Sequence, residues 1–150
     1  MIDLNLVPPA LGVVGLVAAA VIFGMVQRYP EGQDKVKAIG DQIHLGAMVF
    51  MRREYSMLAV FAAVLVAFLY FFLNAETALA VVVGALSSAG AGWIGMYAAT
   101  KANVRTTTAA HDFGAPQALS VAFFGGSIMG LSVASLGLLG LGGLYWFFGG

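Results

Sequence analysis

Cysteine is absent from the chain, and charge is missing from long stretches of it. Without thiols there is no disulfide framework, no thiolate metal site and no cysteine nucleophile. Asp, Glu, Lys and Arg together make up only 9% of the 150 residues, against roughly 25% in a soluble domain. Seven basic side chains balance seven acidic ones, so no net field draws the chain towards nucleic acid or an acidic substrate. What it has instead is apolar surface, 61% of the residues being hydrophobic. The solvent that suits such a chain is lipid.

Residues 4–27, 55–75, 77–100 and 113–150 carry no Asp, Glu, Lys or Arg. A helix rises about 1.5 Å per residue, so about 20 apolar residues cross a hydrocarbon core roughly 30 Å thick. Each run is long enough, and the last is too short for two helices and a loop. The reading is an all-α membrane protein with four transmembrane helices, spanning about 7–26, 55–73, 78–100 and 119–148, with connectors at 28–54 and 101–116. A cleaved signal peptide fits the first run poorly: no basic residue precedes it and no small-x-small site follows it. Pro8 and Pro9 suit a first helical turn, where the missing N–H has no partner to lose.

Lys and Arg near span ends resist translocation. Arg28, Lys35, Lys37, Arg52 and Arg53 lie between spans one and two, and Lys101 and Arg105 between spans three and four. The Asn74-Ala75-Glu76-Thr77 turn and both termini have none. This distribution predicts both termini outside, both connectors in the cytoplasm, and a short external turn between spans two and three. In the first connector, Tyr29-Pro30-Glu31-Gly32 reads as a turn. Val36, Ile39, Ile43, Ala47 and Phe50 then recur at helical spacing, predicting an amphipathic helix that runs on into span two. A lipid-surface anchor is the alternative use of that helix.

Small residues form the next pattern. Ser87, Ala91, Gly95 and Ala99 recur every fourth position in span three, with Gly84, Ser88 and Gly92 beside them; span four has Gly126, Gly130 and Ala134, then Gly137. Such faces let helix backbones approach closely in lipid, where little hydrophobic gain joins helices. The clusters Gly125-Gly126-Ser127 and Gly140-Leu141-Gly142-Gly143 lack the strand and the lysine of a phosphate-binding loop and lie in apolar surroundings. His44 and His111-Asp112 sit in different connectors, without a further ligand at helical spacing, and read as solvated interfacial histidines rather than a metal site.

No Asp, Glu, Lys, Arg or His falls within the four spans, although ion carriers place such groups in the bilayer where they work. Nor is there a carboxylate cluster to hold magnesium and a phosphate. No catalytic, cofactor-binding or metal-binding residue is assigned. By its residues alone the chain is a membrane scaffold.

Four stretches point to a family. The segment from Gly95-Met96-Tyr97 through Lys101-Ala102-Asn103-Val104-Arg105-Thr106 resembles the end of the third span of membrane-bound, ion-pumping inorganic pyrophosphatases. Tyr29-Pro30-Glu31-Gly32 with Gly46-Ala47, Phe50 and Arg53-Glu54-Tyr55 is similar to that family's first connector and entry to span two. Gly84 to Gly92 and Ala122 to Ser132 are similar to its third and fourth spans.

The resemblance implies a homodimeric pump of sixteen spans per subunit, beginning outside. It would couple magnesium-dependent pyrophosphate hydrolysis to outward transport of protons, or of sodium in some members, in a bacterial or archaeal cell membrane. In that family the substrate aspartates, basic clamp residues and ionisable gate lie on the fifth and later helices, so no catalytic residue is carried over to these positions. The four helices correspond to part of an outer ring around the catalytic core. Gly149-Gly150 follows the aromatic Tyr145-Trp146-Phe147-Phe148 with no sign of a finished domain, which is the expectation for an amino-terminal fragment. The other expectation is a four-span structural or accessory protein that associates through its small-residue faces.

Overall fold

The computed structural model describes residues 6–149, and the expectation attached to Gly150 lies outside them. Four helices follow in order: α1 (Val7–Gln27), α2 (Asp34–Phe72), α3 (Ala75–Phe113) and α4 (Ala115–Phe148). All four are long and apolar enough to cross a membrane.

Local chemistry accounts for the ends. α1 opens with prolines in its first turn, where an unpaired N–H is no loss. The Asn74 side chain accepts a hydrogen bond from the Thr77 amide at 2.7 Å, capping α3, so a two-residue link suffices to reverse the chain. At the other end of α3, Gly114 takes φ +85°, a left-handed conformation that a Cβ disfavours. Pro116 then lies in the first turn of α4.

α2 and α3 are each 39 residues long, about 58 Å at 1.5 Å per residue. Both therefore overhang a hydrocarbon core of roughly 30 Å. The amphipathic stretch of the first connector and the second apolar run are one continuous helix, and residues 101–113 continue α3.

The helices pack as a row. α3 lies between α2 and α4, and α4 lies between α3 and α1, which touches α3 only lightly. Although consecutive in sequence, α1 and α2 do not pack together among the described residues. The core of the α1–α3–α4 wedge is made of Ala19, Val26, Ala98, Ala102 and Ile128. α4 meets both of its neighbours almost backbone to backbone: a Cβ at Gly12 of α1 would stand 2.7 Å from the Ser135 carbonyl oxygen, and one at Gly125 2.5 Å from the Ala102 Cβ of α3. Small residues at crossings give the close van der Waals packing that must hold helices together in lipid. Two hydroxyls in these apolar lengths close on their own helix, whereas that of Tyr55 crosses from α2 to the Ala89 carbonyl of α3 at 2.8 Å. Ser132 donates to the Ile128 carbonyl at 2.7 Å and Ser127 to that of Phe124 at 2.8 Å.

Two features of the helix faces are not legible from residue spacing. The predicted apolar stripe of α2 is split: Ile39, Ile43 and Phe50 are exposed, Val36 and Ala47 are half-buried, and Gly40, Met51 and the half-buried His44 and Tyr55 meet α3. Hydrophobic spacing reports where apolar residues lie, not which side has a partner. In α4 the closely packed glycine is Gly125, against Ala102, whereas Gly126, Gly130 and Gly137 have open space where a Cβ would be. A shift of one residue turns the helix by about 100°.

Candidate functional site

Glu31, Lys37, Asp41, Lys101 and Arg105 come together at the end of the bundle where α1 leads into α2 and α3 into α4. The turn Tyr29-Pro30-Glu31-Gly32 delivers Glu31 to α3, and Gly32 takes φ +85° with Thr108 occupying the space a Cβ would need. Only glycine fits there, on both conformational and steric grounds.

Arg105 is the centre of the cluster. Its side chain is 8% exposed, and it donates from one terminal nitrogen to Glu31 Oε1 at 2.9 Å and from the other to the Lys101 carbonyl at 2.7 Å. Its Nε is buried without a partner. Glu31 also faces Lys37 at 3.7 Å, and Lys101 faces Asp41 at 3.8 Å. These residues enclose a space of about 10 Å³, at the lower limit for one water molecule. Val104 of α3 fills the place beside Gly40 that a side chain would take, so α2 and α3 approach closely just where the charges pair.

A second set of contacts extends the seam. His44 Nδ1 lies 2.7 Å from Thr100 Oγ1, while the Thr100 hydroxyl reaches the Met96 and Tyr97 carbonyls at 3.0 Å. In the tautomer with Nδ1 protonated, Nδ1–H donates to Thr100 and the Thr100 proton stays on its own helix. The His44 ring also stands edge-on to Tyr97, with centroids 5.1 Å apart. His44 is thus half-buried and bonded, which corrects its reading as a solvated residue. His111 is exposed and pairs with its neighbour Asp112 at 2.7 Å. Gln117 of α4 donates to the Tyr29 hydroxyl at 3.1 Å, so the first connector is tied to both later helices.

Chemically this is a clamp. A magnesium ion takes about six oxygen ligands, with carboxylates among them. Here each carboxylate in the cluster, Glu31 and Asp41, is directed at a cationic side chain. No group of three or more His, Asp or Glu able to hold a metal ion occurs among the described residues. These side chains do not fit magnesium.

Comparison with known proteins decides what the clamp belongs to. The family described as "Inorganic H+ pyrophosphatase" matches residues 13–150. The chain belongs to this family. A K(+)-insensitive pyrophosphate-energized proton pump of Methanosarcina mazei is 37% identical over 143 residues, covering 94% of this chain and 21% of the relative. A K(+)-stimulated pyrophosphate-energized sodium pump of Thermotoga maritima is 42% identical over 137 residues, covering 91% of this chain and 19% of the relative. A similar pump of Pyrobaculum aerophilum, K(+)-insensitive and proton-translocating by name, is 36% identical over 154 aligned positions, with 99% and 21% covered. The chain therefore spans about a fifth of the length of these pyrophosphatase relatives.

The Arg105–Glu31 pair escaped sequence reasoning. Both residues fall inside stretches that carry the family resemblance, which is a signal that they matter, but nothing in a single sequence pairs positions 74 apart.

Proposed function

We propose that this chain is the amino-terminal membrane part of a pyrophosphate-energised pump, and that it serves there as scaffold. The observation that carries the reading is the match running from residue 13 to 150 against only about a fifth of each relative. In this reading the longer protein couples magnesium-dependent hydrolysis of pyrophosphate to outward proton transport. Sodium is the alternative ion, since relatives of both kinds match at comparable identity. Magnesium, the substrate carboxylates and the ion gate belong to helices beyond these four, and the working unit is a homodimer in a bacterial or archaeal cell membrane. The charge clamp fixes the connectors on the cytoplasmic side, where pyrophosphate is hydrolysed, and both termini lie outside. The arrangement of basic residues at one end of the row supports that orientation.

The test is a pair of vesicle preparations, one with this chain alone and one with the longer reading frame that contains it. Magnesium-dependent release of phosphate from pyrophosphate is expected only in the second. Turnover by the chain alone would place an active site within these four helices. A reading frame closing at Gly150, with no hydrolysis from any partner, would favour the structural or accessory protein.

A further inference from the structure

α1 and α2 both border α3 without packing on each other among the described residues, and an apolar cleft of about 420 Å³ opens beside α1 on that face of α3. Leu16, Ala20 and Phe23 of α1 form one wall and Trp93 and Tyr97 of α3 the other, with Ile128 of α4 at the base. Trp93 and Tyr97 are 42% and 38% exposed. The hydroxyl that α4 brings to the cleft, on Ser132, is already bonded to the Ile128 carbonyl, so the base offers only apolar contact.

Depth and charge decide what fills it. Residues 16–23 and 93–97 belong to charge-free runs, at the end of each run nearest the clamp: Phe23 meets Tyr97 with ring centroids 5.9 Å apart, and Tyr97 meets His44. Hydrocarbon is the solvent at that level, and Trp and Tyr are the side chains that favour its boundary with the headgroups. Arg52 lies three positions outside the run that begins at Tyr55, about 4.5 Å of helix, which is headgroup depth. It follows Asp41 by 11 positions, about three turns, so it shares the side of α2 from which Asp41 reaches Lys101. Lys101 is one turn beyond Tyr97, so that side is the cleft side. Tyr55 stands beside Trp93 with ring centroids 6.3 Å apart, which sets Arg52, one turn earlier, between the heights of Trp93 and Tyr97. Arg52 is exposed and makes no ion pair among the described residues. Glu54, two positions on, is turned about 200° away from it.

We propose that this cleft binds one anionic phospholipid from the leaflet on the clamp side, with an acyl chain between α1 and α3 and the headgroup phosphate on Arg52. A guanidinium presents phosphate with two parallel N–H donors, and basic pockets between spans hold anionic headgroups. Leu16 to Phe23 is about 10 Å of helix, so the cleft receives the part of the chain next to the glycerol and the remainder stays in the bilayer. The aqueous end of the groove is closed, because the turn carrying Glu31 crosses from α1 to α2 over Arg105 and Asp41 meets Lys101. A membrane-spanning helix has to pass that end, whereas a lipid stops there at its headgroup. The site does not depend on the reading of the chain as part of a pump.

Photolabelling tests it in the protein expressed from its full reading frame and placed in phosphatidylcholine vesicles. A small fraction of phosphatidylglycerol carries a diazirine on its acyl chain near the glycerol, and after irradiation the adducts are mapped to peptides. Peptides containing residues 16–23 and 93–97 are expected to carry the adduct. Arg52→Gln should lower that yield about fivefold, the worth of one basic side chain at an anionic surface. Arg53→Gln, turned a further 100° or so away from the cleft, should leave it within about twofold. The same diazirine on phosphatidylcholine should label these peptides about fivefold less than the phosphatidylglycerol probe does. Arg52 is exposed, so its substitution leaves the packing intact. Ala20→Trp, which fills the cleft from α1, should abolish the adduct at residues 93–97 while labelling around the exposed Phe71 persists. Equal yields in the Arg52→Gln and parent proteins overturn the proposal. So does the absence of adduct from both cleft peptides, the result expected if other polypeptide covers them. Pyrophosphate hydrolysis is not among the readouts, so the lipid site and the functional reading stand or fall separately.

Discussion

The guanidinium of Arg105, 8% exposed, donates at 2.9 Å to Glu31, which stands 74 positions away in the turn between α1 and α2. Removing one partner of a buried pair typically costs about 3–5 kcal/mol, because the other charge is left uncompensated. Glu31 is 31% exposed, so water returns part of that. Glu31→Gln is expected to cost about 1–3 kcal/mol, read as a lowered midpoint of thermal unfolding in detergent. Lys37→Ala should cost under about 0.5 kcal/mol, since its contact with Glu31 is 3.7 Å and its side chain 56% exposed. Equal losses in the two variants would remove Arg105 from the centre of the clamp.

Gly32 offers a second, independent lesion in the same turn. It holds φ +85° against Thr108. Gly32→Ala combines a left-handed backbone penalty of about 1–2 kcal/mol with a clash. Thr108→Ala should recover the clash and leave the backbone part, so the double variant is expected to be more stable than Gly32→Ala and less stable than the parent. Full recovery would show that the backbone conformation there is without cost.

Adjacent glycines in α4 are expected to respond in opposite ways. A Cβ at Gly125 would stand 2.5 Å from that of Ala102, whereas Gly126 has nothing within 4 Å. Gly125→Ala must push α3 and α4 apart, an overpacking cost of about 1–3 kcal/mol. Gly126→Ala adds a methyl in open space and removes glycine's backbone entropy, a gain of up to about 1 kcal/mol in helices. Unfolding of the chain alone, followed by Trp93 and Trp146 fluorescence, separates them; similar shifts in both would contradict the α3–α4 register.

These contrasts show what the sequence makes legible. Four helices follow from where Asp, Glu, Lys and Arg are missing, and the family from short stretches such as Gly95 to Thr106. Partnership does not. Gly125 and Gly126 are identical neighbours in sequence, and only the crossing with Ala102 distinguishes them. Ile39 and Ile43 announce an apolar face, yet Gly40 and His44 make the contact. Likewise, the clamp depends on a fold that brings the end of α1 beside α3, and local chemistry at Arg105 carries no trace of Glu31.

His44 provides a test by spectroscopy. With the Thr100 proton on the Met96 and Tyr97 carbonyls, the Nδ1–H of His44 is expected to donate to Thr100 across 2.7 Å. Nitrogen chemical shifts should report the Nδ1–H tautomer in the neutral ring, and Thr100→Val should release it towards the Nε2–H form usual in water. That variant is expected to cost about 1–2 kcal/mol, the price of a half-buried donor without a partner. An Nε2–H ring in the parent would reverse the assignment of donor and acceptor.

Orientation can be tested at two positions chosen so that the probe itself does no harm. Gln33 precedes α2 without a side-chain capping bond, and Leu73 is 58% exposed at the far end of that helix. Neither substitution removes a hydrogen bond or a buried contact, and the chain has no cysteine of its own. Arg28, Lys35, Lys37, Arg52, Arg53, Lys101 and Arg105 all lie on the Gln33 side of the charge-free runs, and such basic segments are retained in the cytoplasm. A membrane-impermeant maleimide added to intact cells should therefore label Leu73→Cys and reach Gln33→Cys only after the membrane is opened. The reverse pattern would turn the bundle over and carry the charge clamp to the outer surface, away from the compartment in which pyrophosphate is proposed to be hydrolysed.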